Sequence, residues 1–407
     1  MTTIHDRELG EERQSLHLPA FPIAEWLVHQ WWFLLYELSP VENPLDRSVA
    51  DHWNWLGRHC LRCADSALLL PKLAFYSDDK SVIAQWLADD SGVLPHMPGE
   101  FISSGLETLD RQETESALAQ FVERVLSRVQ SLNFDRVHKT VERWRAIQSQ
   151  GCEERDFCIS AARMGLDAYD PDAIDDATAG FLEQHPIAGY HALIHDLTEI
   201  ANPESLLRQW DWIDDVHQRL PLKLGNDATA TDSWRQIPKA HLHGYKLAQD
   251  VRQQLDIRGT HSIPSIPDVC RQLANRDLII DHAECHAPRN RLRALVGTQT
   301  NGTGVVVAAS HPRHATSERF LIARALYLML ASGNRNTRLL TDALSWDQRA
   351  SRAFAAELLA PQSALIEDLD TDDASLEEIE RLAAKYQVST RVIENQLQNQ
   401  GITVLPE

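Results

Sequence analysis

The amino-acid sequence predicts a mostly helical α+β protein, in which an all-α N-terminal domain precedes an α+β domain with a small antiparallel sheet and a C-terminal helix pair. Over residues 1–220, apolar residues recur at spacings of three and four, which is the period of helices that bury one face. Residues 221–236 are polar, rich in small side chains and without periodicity, as interdomain linkers are. Over residues 237–407, helical patterns combine with short apolar runs that are typical of strands.

Composition and charge restrict the class of protein. A chain of 407 residues exceeds one ordinary core, so we expect two domains. The net charge of -20 opposes non-specific binding to phosphate backbones and to anionic membranes. We therefore expect neither nucleic acid nor a membrane as a partner. The first residues are acidic where an export signal needs a basic end, so the expected location is the cytoplasm.

Tryptophan is concentrated in the first half of the chain. Ten of the eleven tryptophans precede residue 235, which indicates either an aromatic core or a groove for a partner. The core is the favoured interpretation, because aromatic residues at helical spacing usually face inward. The groove remains the alternative.

The six cysteines are expected to be reduced thiols in this compartment. Cys60 and Cys63 have the two-residue gap of a zinc knuckle, although they lie within a helical pattern. No second close pair at zinc-finger spacing completes such a site. Buried helix thiols are therefore favoured over a metal site.

The second half of the chain contains a hairpin signal and a terminal helix pair. Asn301 and Gly302 lie between two apolar runs, and this dipeptide is typical of a hairpin turn. Residues 375–402 have the outline of a helix-turn-helix, in which a serine begins the second helix. Its last helix offers only Arg391 against Glu394, too little positive charge for DNA, so packing against the preceding helices is favoured.

Two phrases of sequence carry a family resemblance. Residues 319–323 read RFLIA in one helical pattern, and residues 354–361 read FAAELLAP in the next. In this order, after two helices and a small sheet, the phrases resemble the ImmA/IrrE family of zinc metallopeptidase-like proteins, with its IrrE N-terminal-like domain. The resemblance covers about residues 236–402 and implies a zincin-like fold for residues 237–407. Relatives in that family act in bacterial stress response, mobile-element control and phage defence.

The family's catalytic motif is degenerate in this chain. Its first phrase runs into HELGH, where two histidines four apart bind zinc and a glutamate acts as general base, and the next helix supplies a third ligand. The resemblance places the histidine positions on Arg324 and Leu328, and the base position on Ala325. The third-ligand position falls on Gln348. Arginine stays protonated, leucine has no donor atom and alanine cannot move a proton, so no zinc cofactor and no hydrolysis are expected here.

Arg324 suggests a replacement for the missing metal. We hypothesise that its guanidinium pairs with Asp347 on the facing helix, so that an ion pair joins the two helices where zinc would. The alternative is that Arg324 reaches solvent.

A different metal site is the alternative for the whole domain. His282, Glu284 and His286 alternate, so on a strand they would project from one side, and His311 could join them. The sequence thus leaves two functions open. The favoured one is a catalytically inactive metallopeptidase-like protein that regulates or binds a partner protein. The other is an active zinc metallo-endopeptidase with a non-standard ligand set.

Overall fold

The computed structural model describes residues 3–46, 53–89, 99–223, 239–257, 261–263, 265–274, 277–331, 337–369 and 373–405. The chain divides into two compact units, Met1–Pro186 and Ile187–Glu407. Helices and small sheets together confirm the predicted mostly helical α+β class. In the described ranges, no helix is both long enough and apolar enough to cross a membrane.

The first unit contains strands as well as helices, so the prediction that residues 1–220 are all-α is wrong. Its helices are α1 (Ala20–Tyr36), α2 (Trp53–His59), α3 (Arg111–Val129), α4 (Asp135–Gln148), α5 (Cys152–Arg163) and α6 (Asp176–Gln184), and a 3-10 helix covers Leu61–Ala64. Its strands are β1 (Ile4–Asp6), β2 (Glu11–Arg13), β3 (Lys72–Ser77), β4 (Val82–Leu87), β5 (Gly99–Phe101) and β6 (Gly105–Leu109).

These strands form sheets in the orders β2-β1-β5 and β3-β4-β6, with antiparallel neighbours. Their sequences lack the alternation that identifies a half-buried strand. β4 begins with four buried residues in a row, and β1, β2 and β5 have three residues each, too few to establish a period. These strands therefore have no sequence pattern from which they could be predicted.

Helix α1 forms the centre of the first unit and contacts α3, α4, α5 and β3. Trp26, Trp31 and Trp32 are all buried on it. The ring of Trp31 meets that of Trp144 edge to face, with the centroids 4.8 Å apart. The core interpretation is thus confirmed for these tryptophans, whereas Trp53 is 64% exposed.

The second unit begins earlier than the predicted boundary. Its helices are α7 (Ile187–Thr198), α8 (Pro203–Arg219), α9 (Ala240–Gln254), α10 (Ile266–Ala274), α11 (Ala315–Ala331), α12 (Trp346–Leu359), α13 (Gln362–Asp368), α14 (Leu376–Tyr386) and α15 (Thr390–Gln398). Its strands are β7 (Leu278–His282), β8 (Leu292–Thr298), β9 (Gly304–Ala308), β10 (Arg338–Thr341), β11 (Asp373–Ala374) and β12 (Thr403–Val404).

A buried charge on α7 ties that helix to the second unit. Asp196 on α7 is 1% exposed and accepts hydrogen bonds from the guanidinium of Arg338 at 2.7 and 2.9 Å and from the backbone of Leu339 at 2.8 Å. A buried carboxylate needs such compensation, and residues of β10 supply it. Of the predicted linker, residues 224–236 lie outside the described residues, whereas Leu222 pairs with Gln299 beside the sheet.

The main sheet of the second unit has the strand order β10-β8-β9-β7. The predicted hairpin is confirmed: β8 and β9 pair antiparallel, and Gly302 in their turn has a φ of 92°. The side chain of Asn301 accepts a hydrogen bond from the backbone of Thr303 at 2.9 Å. The sheet is mixed rather than antiparallel, because β7 lies beside β9 and runs parallel to it. The chain therefore crosses from β7 at the edge of the sheet to β8, two positions away. The hairpin then places β9 between β8 and β7.

Helices α9 and α12 approach so closely that only glycine fits at their crossing. A Cβ atom added to Gly244 would lie 2.8 Å from the backbone nitrogen of Phe354 and nearer still to the carbonyl oxygen of Ala350. These neighbours are backbone atoms of a buried helix and cannot move independently. The absence of a side chain at Gly244 therefore sets the distance between the two helices.

We expect Gly244→Ala to lower the free energy of unfolding of the second unit by about 2–3 kcal/mol, because overpacking forces the helices apart. Chemical denaturation followed by circular dichroism measures this change. The matched control is Gly180→Ala on α6, where an added Cβ meets no heavy atom within 4 Å. That variant should gain about 0.5–1 kcal/mol from helix propensity. Equal effects of the two substitutions would contradict the close approach.

Candidate functional site

Arg324 is buried between α11, α12 and β10, and is only 6% exposed. Its Nε donates to the hydroxyl of Ser351 at 3.1 Å. One terminal nitrogen donates to the carbonyl oxygen of Thr341 and to Oε1 of Gln348, both at 2.9 Å. The guanidinium therefore fixes α11 against both neighbouring elements, and the alternative that Arg324 reaches solvent is wrong.

The structure brings the degenerate motif positions together. Arg324 and Gln348, which the resemblance places at the first and third ligand positions, are directly hydrogen-bonded. Leu328 lies four residues beyond Arg324 on the same helix face, and Ala325 lies beside it. Gln348 and Ala325 are 0% exposed and Leu328 is 1% exposed. These four positions are therefore occupied by side chains packed in the interior of the unit.

The amide of Gln348 is fully engaged. Its oxygen also accepts from the backbone of Thr341 at 3.1 Å, and its nitrogen donates to the carbonyl oxygen of Leu339 at 2.7 Å. The amide therefore bonds to a backbone N–H and a backbone carbonyl of β10, as the main chain of a neighbouring strand would. A glutamate at this position could accept but not donate, so it would leave the carbonyl of Leu339 without this donor.

The expected pair between Arg324 and Asp347 does not form. In the part of the chain that the structure describes, the hydrogen bonds of Arg324 go to neutral groups, and Asp347 pairs with Arg338 at 3.0 Å. Successive helical residues point about 100° apart, so Asp347 faces away when Gln348 faces Arg324. Burial, and then the positive charge of Arg352, lower the pKa of Arg324 to about 9.

The acidic side chains collect around Arg338 instead. Its guanidinium is shared by Asp196 and Asp347, with N to O distances of 2.7 and 3.0 Å. Burial alone would lower the pKa of Arg338, but the two carboxylates outweigh it and hold that pKa well above its usual value. Sequence reasoning missed this cluster because nothing in the pattern of α7 indicates which distant strand it contacts.

A second buried polar contact lies one turn further along α11. The hydroxyl of Tyr327 is 3.1 Å from Nδ1 of His243, whose ring also packs on Trp346 with centroids 4.9 Å apart. Burial raises the pKa of Tyr327 well above its usual value. His243, in the first turn of α9, therefore joins α9 to α11.

Only part of the alternative metal cluster assembles. His282 and His311 stack with ring centroids 5.2 Å apart, and Nε2 of His282 lies 3.1 Å from a carboxylate oxygen of Glu318. Glu284 and His286 are exposed and lie beyond β7, which ends at His282, so the strand alternation that would align them is absent. In the described ranges, no group of three or more histidine, cysteine, aspartate or glutamate side chains is placed to hold a metal ion.

An open cleft lies between the start of α11 and the turn that joins α14 to α15. It has a volume of about 520 Å³. Gln387 forms the turn in a left-handed conformation, with a φ of 54°, and the guanidinium of Arg319 donates to the carbonyl of Ile263 at the opposite side. The surface that lines the cleft is mainly apolar, and its small side chains include Ala315, Thr316, Ala383, Ala384, Val388 and Thr390.

We expect Arg324→Met to remain within about 1 kcal/mol of the wild-type free energy of unfolding, because relief of the buried charge offsets the lost hydrogen bonds. Arg324→Ala leaves a cavity as well and should cost about 2–5 kcal/mol. Denaturant titration of both variants checks the difference. If methionine is as damaging as alanine, the hydrogen bonds rather than the filled volume hold the helices together.

Neither a protein-family model nor a curated protein matches the sequence. The family resemblance therefore rests on the sequence phrases at residues 319–323 and 354–361.

Proposed function

We propose that this protein is a catalytically inactive metallopeptidase-like protein that regulates or binds a partner protein. The main support for this proposal is the hydrogen bond from Arg324 to Gln348. The resemblance assigns these two residues to the positions of the first and third zinc ligands. The interior of the second unit is closed around this hydrogen bond, because Arg324, Ala325, Leu328 and Gln348 are all buried. Regulation in bacterial stress response, mobile-element control or phage defence follows from the resemblance, and the expected location is the cytoplasm.

The residues present do not fit zinc. A catalytic zinc needs three donor side chains and an open position for water. At these positions the chain offers a protonated guanidinium, a leucine and an amide that already makes three hydrogen bonds. Binding zinc here would require Arg324 to leave its buried acceptors. The position of the general base is Ala325, which has no group that could activate water.

Restoring the ligands tests this proposal. The triple variant Arg324→His, Leu328→His and Gln348→Glu places two imidazoles four apart and a carboxylate on the facing helix. We expect it to bind about one equivalent of zinc, while the wild type holds less than about a tenth. Metal content is measured by mass spectrometry after exposure to zinc and desalting, with refolding in zinc if the variant is unstable.

The matched control moves one histidine off the helix face, as Arg324→His, Leu326→His and Gln348→Glu, because residues two apart do not meet one ion. It should bind no stoichiometric zinc. A folded triple variant without zinc would contradict the resemblance to the zinc peptidases. A wild type that holds one equivalent of zinc and cleaves peptides would contradict the inactive assignment and favour the alternative metallo-endopeptidase.

For the partner, we propose that a protein segment with apolar side chains occupies the cleft between α11 and the α14–α15 turn. The small apolar lining supports this, because it offers contact area to inserted side chains and few competing polar groups. The net charge of -20 favours a protein partner with basic residues beside that segment.

Filling the cleft tests this assignment. Ala384 lines the cleft and is exposed, so Ala384→Trp should block entry without disturbing the core. Gln398→Trp, on the exposed surface of α15, is the matched control. Crosslinking in cells, with identification by mass spectrometry, should show one protein with the wild type and with Gln398→Trp, and at least about tenfold less with Ala384→Trp. A partner that both variants retain equally does not bind in the cleft, and the assignment then fails.

A further inference from the structure

The Cys60–Cys63 pair lies in the first unit, at the junction of α2 and the 3-10 helix. The backbone nitrogen of Cys63 donates to the carbonyl oxygen of Cys60 at 2.9 Å. A turn closed by such a bond keeps its end Cα atoms within about 7 Å, near the separation that a disulfide spans. Cys60 is 5% exposed, whereas the thiol of Cys63 reaches solvent. The pair therefore combines one accessible sulfur with one protected sulfur.

The surrounding structure fixes this turn on both sides. The nitrogen of Cys60 donates to the carbonyl of Leu56, and Cys60 forms an isolated bridge with Ala74 of β3. Between the two cysteines, Arg62 donates to the carbonyl of Leu70 at 2.9 Å and to the carboxylate of Asp89 at 2.6 Å. The two thiols are consequently held together before any reaction.

The two sulfurs also differ electrostatically. A hydrogen bond from Cys60, with help from the charge of Arg62 and against the effect of burial, lowers the pKa of Cys63 to about 7. The same hydrogen bond, burial and the charge of Cys63 raise the pKa of Cys60. Cys63 therefore has substantial thiolate character at neutral pH, and Cys60 is the thiol that stabilises it.

We propose that Cys60 and Cys63 form a redox-active dithiol that reduces low-molecular-weight disulfides and is itself oxidised to a disulfide. The Cys63 thiolate attacks one sulfur of the substrate, a mixed disulfide forms, and the other substrate sulfur leaves as a thiolate. Cys60 then loses its proton to water and attacks the Cys63 sulfur, which expels the second substrate thiolate. One substrate disulfide becomes two thiols, and the protein loses two hydrogens.

The charges favour this order of events. Once Cys63 is bound in the mixed disulfide, its negative charge no longer raises the pKa of Cys60. Cys60 can then ionise more easily at the moment when its thiolate is required. Because Cys60 is buried against β3, it is protected from direct attack and acts as the resolving residue.

The test equilibrates the reduced full chain with mixtures of glutathione and glutathione disulfide, quenches with acid and maps the products by mass spectrometry. We expect a Cys60–Cys63 disulfide in the wild type. Cys60→Ala should accumulate glutathione on Cys63, and Cys63→Ala should leave Cys60 unmodified. Cys152→Ala removes another exposed cysteine and should behave as the wild type does. At pH 7, iodoacetamide should modify Cys63 about tenfold faster than Cys152.

The proposal is overturned if wild-type Cys63 keeps bound glutathione to the same extent as in Cys60→Ala, because Cys60 then resolves nothing. It is also overturned if both cysteines stay reduced in mixtures that modify Cys152. Both comparisons with Cys152 use the wild-type chain, so they remain decisive if Cys60→Ala does not fold.

Discussion

A buried guanidinium that meets no carboxylate governs the interior of the second unit. Arg324 must satisfy its donors with neutral oxygens, and these oxygens come from α12 and β10. Each acceptor is held by a further hydrogen bond, since Gln348 also binds the backbone of β10 on both sides of its amide. Because an unpaired buried charge is far more costly than a lost neutral hydrogen bond, the helices and strand cannot shift independently.

Arg338 and Arg324 divide the available charges unequally. Among the described residues, Arg338 pairs with two carboxylates, whereas the hydrogen bonds of Arg324 go to neutral oxygens. The division follows from helix geometry, because neighbouring residues 347 and 348 on α12 face different sides. The sequence predicts that Arg324 lies opposite α12. The expected partner was the charged Asp347, whereas the observed partner is the amide of its neighbour, Gln348. The sequence motifs predict which helix faces Arg324 and about which turn of that helix lies opposite. Which residue of that turn points at Arg324 depends on the rotation of the helix about its own axis.

Some elements were predictable and others were not, for identifiable physical reasons. The long apolar runs of α11 and α12 and the Asn301–Gly302 turn are local signals, and the structure has the expected elements there. In the first unit, β1 and β2 are short and β4 begins with buried residues on both faces, so these strands carry no period. The boundary at residue 186 depends on Asp196 meeting Arg338, a contact between residues that are distant in the sequence. In the same way, the close spacing of Cys60 and Cys63 is visible in the sequence. Their unequal exposure and the hydrogen bond between their side chains depend on the fold and could not be predicted from the sequence.

The dependence of Arg338 on α7 has a consequence for how this protein can change over time. Asp196 is almost completely buried and takes its counter-charge from Arg338, so the loss of Arg338 alone would leave a buried carboxylate without its guanidinium partner. Mutational drift at the two positions must therefore be correlated, and a recombination junction placed between them would separate a charge from its counter-ion. Across any lineage that keeps this unit, α7 and β10 should be inherited as one piece, although the chain that connects them is long enough to contain most of the domain.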